Sequence, residues 1–409
     1  MNMKVLKHPL ILFVLATVLL FSLLFFYGSG QDTKVLMAGG AVLLLSTVTY
    51  IMILGFKWGD EYLFLIISML VTIGVAMIFR IDAQMGFQQI IRYVIGIVVF
   101  FMVYYCFRYF KFWHRLKLFY IAAAVGLFVL TLIFGREVNG SRNWIYIFGM
   151  ALQPSEFIKI LFVLYLASYF TQRPDRELVI GKVREKYITL FMVYVCVFFL
   201  LIQREWGSML IMLFTYLMML YIFKSDRLIL LFNMAAGVLV GWFGFKHMSH
   251  IQIRVANWLD PWADISGRGY QITQSLFAIA SGGFFGTGLG LGHPEFIPEV
   301  HSDFIFSAIC EEMGIFGGIA VIALYFILVY RGFKIALKLD GFDRCLAAGI
   351  TIIFGFQTFV IIGGVIKMIP LTGITLPFIS YGGSSLLTSF ASMGILQALS
   401  AKGGAEDEG

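Results

Sequence analysis

An aspartate at the mouth of an apolar helix is the residue of this sequence best suited to chemistry. Residues 298–314 read PEVHSDFIFSAICEEMG, and Asp303 stands where a long apolar run begins. His301 lies two residues before it; Glu311 and Glu312 lie eight and nine residues after it, inside the same run. A carboxylate at a membrane boundary is costly unless it works or is paired. As a general base it would take a proton from a reacting hydroxyl. The competing reading is an interfacial Asp that caps the helix start.

Three further segments carry charge next to apolar runs. The first reads REVNGSRNW over 136–144 and QPSEFIK over 153–159. Pro154 and Ser155 mark a helix start, with Glu156 favourably near the positive helix end. Lys159 is spaced to pair with Glu156 at i,i+3; this structural pairing competes with a role in holding a ligand. The second is the turn Gln203-Arg204-Glu205-Trp206-Gly207, whose polar residues also suit an interface with Trp206 in the aromatic belt. The third spans 364–385 and contains Lys367, Pro370, Pro377, Ser380, Gly382, Gly383 and Ser384. Two prolines and several glycines in apolar surroundings predict a broken segment, which at membrane depth must be buried in protein or line a wet cavity. Arg142, Lys159 and Lys367 are cations able to hold phosphate oxygens, and Glu205 and Asp303 are carboxylates able to manage protons.

The elements that position these residues are membrane spans. Hydrophobic residues make up 60% of the 409 and charged residues 13%, far from a soluble globular balance. Apolar runs long enough to cross a bilayer recur throughout. About twelve are expected, at roughly 9–27, 35–56, 62–80, 89–107, 117–135, 155–170, 187–203, 207–223, 227–247, 303–330, 343–366 and 377–399. The first lacks a small-residue cleavage site and reads as a span, not a cleaved signal. Lys and Arg concentrate in alternate loops, from Lys4 and Lys7 through Lys57, Arg108, Lys111, Arg173, Lys224 and Arg331 to Lys402. The positive-inside rule then places these loops and both termini in the cytoplasm. The net charge of +7 follows from this bias and calls for no nucleic-acid partner.

The long loop 248–302 is expected outside. It holds Trp258, Trp262, an amphipathic stretch around 269–280 and a glycine-rich run over 282–292. Loops of this length in a compact protein are usually functional. The four cysteines lie in or beside spans with no CxxC spacing, so they read as buried apolar residues, with no metal ligand set of protein side chains.

At these residues the chain resembles the SEDS family of bacterial shape, elongation, division and sporulation proteins. The resemblance runs from about residue 62 to 400. It rests on SRNWI followed by LQPSE and Lys159, on PEVHSDFIF followed by the paired glutamates, and on PLTGITLPFISYGGSS. It implies an all-α polytopic membrane protein: a ten-helix core, here over 58–400, with an additional helix pair over 1–57 and a short tail over 401–409. It also implies a peptidoglycan glycosyltransferase that polymerises lipid II outside the cytoplasmic membrane. Its partner would be a class B penicillin-binding protein, the transpeptidase, and its catalytic carboxylate Asp303. Arg142, Trp144, Gln153, Ser155, Glu156, Lys159, Glu205, His301, Lys367, Ser380, Gly382, Gly383 and Ser384 are the candidate substrate-binding residues; Lys367 is chosen for its charge, since many members carry Gly where it aligns. A divalent cation, Mg or Mn, is a further expectation for the leaving pyrophosphate. Where many members have QPDxG this chain has Gln203-Arg204-Glu205-Trp206-Gly207, so the acid is kept as Glu behind a cation. A lipid II flippase and a non-catalytic scaffold for wall enzymes are the alternatives; the absence of a convincing internal repeat and a site at one surface favour the enzyme over a transporter.

Overall fold

A computed structural model describes residues 9–28, 32–138, 141–147, 150–171, 179–180, 183–224 and 227–406. The basic residues Lys4, Lys7, Arg173, Arg176 and Lys182 lie outside the described residues. The chain is helical. The helices are α1 (Pro9–Leu23, continued by a π turn to Gly28), α2 (Thr33–Gly55), α3 (Glu61–Ile81), α4 (Ala83–Tyr109) and α5 (Lys117–Phe134). Three short antiparallel strands follow, β1 (Arg136–Val138), β2 (Ser141–Ile147) and β3 (Met150–Leu152). Then come α6 (Pro154–Phe170), α7 (Glu185–Ile202), α8 (Trp206–Phe223), α9 (Arg227–His247), α10 (Ser249–Leu259) and α11 (Tyr270–Gly282). The last three are α12 (Ile305–Leu337), α13 (Gly341–Val365) and α14 (Gly383–Glu406).

All twelve expected spans are helices here, and ten of them are long and apolar enough to cross a membrane by length and composition. The other two are α6, which has 17 residues, and α14, which is rich in serine and glycine. The run predicted from 377 starts as a helix only at Gly383, because Pro377 and the preceding turn residues cannot continue the backbone ladder. The run predicted from 303 starts at Ile305, leaving Asp303 in the turn before it.

Contacts divide the chain into two units. One comprises Met1–Val99, Ser249–Leu328 and Thr358–Gly382; the other comprises Phe100–Met248, Val329–Gln357 and Gly383–Gly409. The centre of the first unit is α3. Asp60 caps it by accepting from the backbone N–H groups of Tyr62 and Leu63 at 3.0 and 3.2 Å, satisfying two of the donors a helix start leaves open. Nearly every side chain from Leu63 to Phe79 is buried, as expected for a helix apolar on all faces. In the second unit α6 is the corresponding buried helix. It begins with Pro154, whose missing N–H costs nothing at a first turn.

α12 is broken at Gly314, which has φ 69° and ψ −173°. The glycine-rich loop fills the break. Thr287 and Gly288 donate their N–H groups to the carbonyls of Glu311 and Glu312 at 2.9 and 3.1 Å. Ile315 donates to Gly283 O at 3.0 Å. Backbone groups that a kink would orphan are thus paired, which an apolar setting demands. The two glutamates that follow Asp303 in sequence are used here. Glu312 accepts from Gly290 N at 2.9 Å and lies 3.2 Å from Arg80 Nε; Glu311 accepts from His293 N at 2.9 Å.

Candidate active site

In the first unit, Asp303 sits on a turn that is tied on both sides. Ser302 and Asp303 donate their N–H groups to Glu299 O at 3.1 Å each, and Glu299 itself takes a left-handed φ of 55°. The turn is then strapped to the segment before α14. Ser380 Oγ donates to Ser302 O at 2.6 Å, and Tyr381 N donates to His301 O at 2.8 Å. Ser380 also accepts from Leu376 N at 2.9 Å, and its carbonyl accepts from Gln89 of α4 at 3.2 Å. Ser380 and His301, both singled out from sequence, therefore hold the loop that bears the carboxylate.

Facing Asp303 is a cation that sequence reasoning missed. Arg254 of α10 donates Nη1 to Thr372 O at 2.8 Å. One turn on, Trp258 donates its indole N–H to Lys367 O at 3.2 Å. This i,i+4 pair lays α10 along the segment 367–373. Gly373, at φ 69°, marks where the two charges meet. A Cβ built there would lie 3.3 Å from Arg254 Nη2 and 3.4 Å from Asp303 Oδ2. Glycine supplies both the left-handed backbone and the clearance.

Burial pushes the Asp303 carboxyl up to about 6, and the neighbouring Glu299 charge pushes in the same direction. The Ser302 hydrogen bond and the Arg254 charge oppose the shift. No backbone N–H of α12 bonds the Asp303 carboxylate among the described residues, so the capping alternative does not account for it. A second cation missed from sequence, Arg92 of α4, stacks 4.1 Å from the ring centre of Tyr381. Its Nη1 is buried without a hydrogen-bond partner. His301 lies edge-on to the same ring at 5.6 Å. Lys367 reaches Leu259 O with its Nζ at 3.5 Å, at the C-terminus of α10, where a cation is favoured. Gly382 closes this unit.

The second unit collects most of the remaining candidates around two carboxylates. Glu205 Oε1 accepts from Ser155 Oγ at 2.5 Å, Gln153 Nε2 at 2.6 Å and Ser208 Oγ at 2.7 Å. Its Oε2 is buried and without a hydrogen bond. Burial pushes the Glu205 carboxyl up, and the three donors pull it back. Gln153 N in turn donates to Ser384 Oγ at 3.2 Å, in the first turn of α14 that Gly383 opens. Glu205 thereby ties the start of α6 to the start of α8, a local role its position in sequence did not reveal.

The Glu156–Lys159 pair forms as its spacing predicts, at 2.9 Å. Lys159 also donates to Gln357 at 3.0 Å, and Thr388 donates to Glu156 at 3.3 Å. Both charges are buried, at 5% and 4% exposure, beside a cavity of about 20 Å³, room for about one water. Arg142 lies on β2 and donates Nε to Gly135 O at 2.9 Å, and Nη2 to Ile133 O at 3.4 Å, closing the C-terminus of α5. Trp144 is half-buried opposite Arg136 in the β1–β2 ladder.

Comparison with known proteins decides the family. The sequence profile of the FtsW, RodA and SpoVE family, described as cell cycle protein, matches residues 60–403. The chain belongs to this family. All the site residues above fall within the match. The peptidoglycan glycosyltransferase RodA of Mycobacterium tuberculosis H37Rv is 33% identical, with 96% of this chain and 89% of that protein covered. The probable peptidoglycan glycosyltransferase FtsW of Trichlorobacter lovleyi is 37% identical over 71% of this chain and 77% of its own. Among solved structures, a chain described under "structural coordination of polymerization and crosslinking by a peptidoglycan synthase complex" superposes with a TM-score of 0.69. Its identity is 26%, and 84% of this chain and 98% of that chain are covered. The rod shape determining protein RodA of Thermus thermophilus gives 0.62 at 25% identity, covering 84% and 96%. Like its relatives, the protein is a multi-pass membrane protein.

Proposed function

We propose that the protein is a peptidoglycan glycosyltransferase that polymerises lipid II, with Asp303 as the general base. The observation that carries the base assignment is the placement of Asp303. It sits on a strapped turn outside the spanning part of α12, with a carboxyl raised towards neutrality, where a base works best. In the reaction the 4-hydroxyl of one lipid II attacks the anomeric carbon of the growing chain. A C–O bond forms there, and the bond from that carbon to undecaprenyl pyrophosphate breaks. The hydroxyl proton passes to Asp303, and the electron pair leaves with the pyrophosphate. The relatives' names and the family match support the reaction class.

The leaving group needs positive charge. Arg254 beside Asp303 and Arg92 with an unused guanidinium N–H are the cations of the first unit suited to it. Arg142, Lys159 and Lys367 remain candidates from sequence, each already engaged with protein oxygens. Among the described residues no group of three or more His, Cys, Asp or Glu side chains is placed to hold a metal ion. A Mg or Mn ion would take its oxygens chiefly from the pyrophosphate.

The raised Asp303 carboxyl sets a pH dependence. The base must be ionised, so polymerisation should climb as pH rises through about 6 and level off above. Removing the repelling charge with Glu299→Gln should move this limb to lower pH, because Glu299 raises the Asp303 value. A limb unmoved by that change, measured as kcat/KM against pH, would detach it from Asp303.

The Lys and Arg bias supports an orientation with both termini cytoplasmic and loop 248–302 outside. Impermeant thiol labelling of single cysteines in whole cells should modify position 285 and spare position 338. The reverse pattern would invert the topology. A class B penicillin-binding protein is the proposed partner, since a structural relative belongs to a synthase complex.

The N-terminal pair, 1–57, is proposed to be peripheral to the chemistry, with 58–400 as the core. α1 and α2 pack on each other and on α3, and neither carries a residue of the Asp303 strap. Residues 58–409 alone should insert in the same orientation and retain polymerisation per mole of folded protein, with lower thermal stability. A folded but inactive truncate would move the boundary.

A further inference from the structure

A cavity in the second unit is lined by none of the residues assigned above. It encloses about 580 Å³ at the end of α4, the start of α13 and the end of α14. Arg108 comes from the last turn of α4, and Trp113 and His114 from the short turn before α5. Lys402 of α14 is matched to Asp343 of α13 at 2.8 Å. Arg108, Lys111 and His114 have no hydrogen bond or ion pair to a protein group among the described residues. Trp113 is pinned on two sides. Its ring stacks on Phe107 with centres 4.2 Å apart, and its carbonyl accepts from Tyr120 Oη at 2.7 Å. Its indole N–H is nonetheless buried and without a partner.

A guanidinium and an ammonium at one cavity, neither held by a protein partner among the described residues, are a donor set for phosphate oxygens. The remaining carboxylate, Asp340 at the exposed rim, disfavours a multiply charged anion and tolerates a singly charged phosphodiester. The cavity also lies at the ends of spanning helices, the level at which lipid headgroups lie, and basic pockets between such helices suit them. We propose that this cavity binds the phosphodiester headgroup of an anionic membrane phospholipid. Arg108 and Lys111, left without a partner among the described residues, neutralise its charge.

The test titrates short-chain phosphatidylglycerol into delipidated, full-length protein in detergent, with bound lipid counted by native mass spectrometry. One saturable lipid is expected. The double variant Arg108→Gln/Lys111→Gln should bind at least about tenfold more weakly. Lys111→Gln alone, at an exposed position, should weaken binding about threefold, and this variant guards against loss of fold in the first. Inorganic phosphate and a short acidic peptide should fail to displace the lipid. Equal affinity in parent and variants would overturn the proposal. Displacement by inorganic phosphate at the lipid's own concentration would assign the site to a soluble anion, and saturable peptide binding without lipid binding would assign it to a protein. Asp303→Asn should leave lipid binding intact, so failure here and failure of the transferase reading are separate results.

Discussion

Asp303→Asn should reduce lipid II polymerisation by at least about 10²-fold, the lower end of what a general base contributes, while the protein remains folded. Asparagine keeps the size of the side chain and removes its basicity. The turn itself is held by backbone bonds to Glu299, Ser302 and His301, none of which uses the Asp303 side chain, so the loop should survive the change. The readout is glycan strand formation by purified protein, with its transpeptidase partner where required, alongside a thermal melt. Near-normal polymer from a folded variant would remove Asp303 from the mechanism.

Lys159→Met should destabilise the second unit strongly. It would strand Glu156, a carboxylate at 5% exposure, beside the hydroxyl of Thr388 with its cation gone. Breaking a buried pair from one side costs about 3–5 kcal/mol. Replacing both charges, with Glu156→Gln added, should recover most of that stability, because neutral groups carry no comparable desolvation cost. Activity separates the two roles of Lys159. Recovery of both folded protein and polymerisation in the double variant would assign it to architecture. Recovery of folded protein alone would assign the ammonium to substrate binding. Failure of the double variant to regain stability would refute the ion-pair account.

The parts of this molecule that were legible in its sequence are those governed by short-range rules. Twelve helices followed from apolar run length, since a bilayer selects for it directly. The Glu156–Lys159 bridge followed from helical spacing, and the place of Asp303 just ahead of a helix from the point where its apolar run begins. Arg254 was not legible. Its meaning depends on Thr372 and Gly373, 118 and 119 residues away in sequence, and nothing in the composition of α10 announces that docking. The one local sign was its i,i+4 spacing to Trp258 in a short amphipathic helix. Arg92 was hidden for the same reason, because its partner surface is the ring of Tyr381. Glu311 and Glu312, placed by the sequence only as acids inside the same apolar run, hold the glycine-rich loop and Arg80. Hydropathy reports what lies in lipid; it is silent on which polar groups choose each other.

The break in α12 has a mechanical consequence. A continuous 33-residue helix would act as a stiff rod, and any tilt of its far end would swing the carboxylate at its head. At Gly314 the rod is cut, and the stump that carries Asp303 is spliced into the 283–288 loop by the carbonyls of Glu311 and Glu312. The stump spans fewer than three turns, with Ser380 and Tyr381 gripping its other end. Ile315, the first residue of the long arm, is tied to the same loop through Gly283 O, so loop, stump and arm meet at one hydrogen-bonded joint. Asp303 is thereby positioned by that joint and by the Ser380 strap, not by the length of helix behind it.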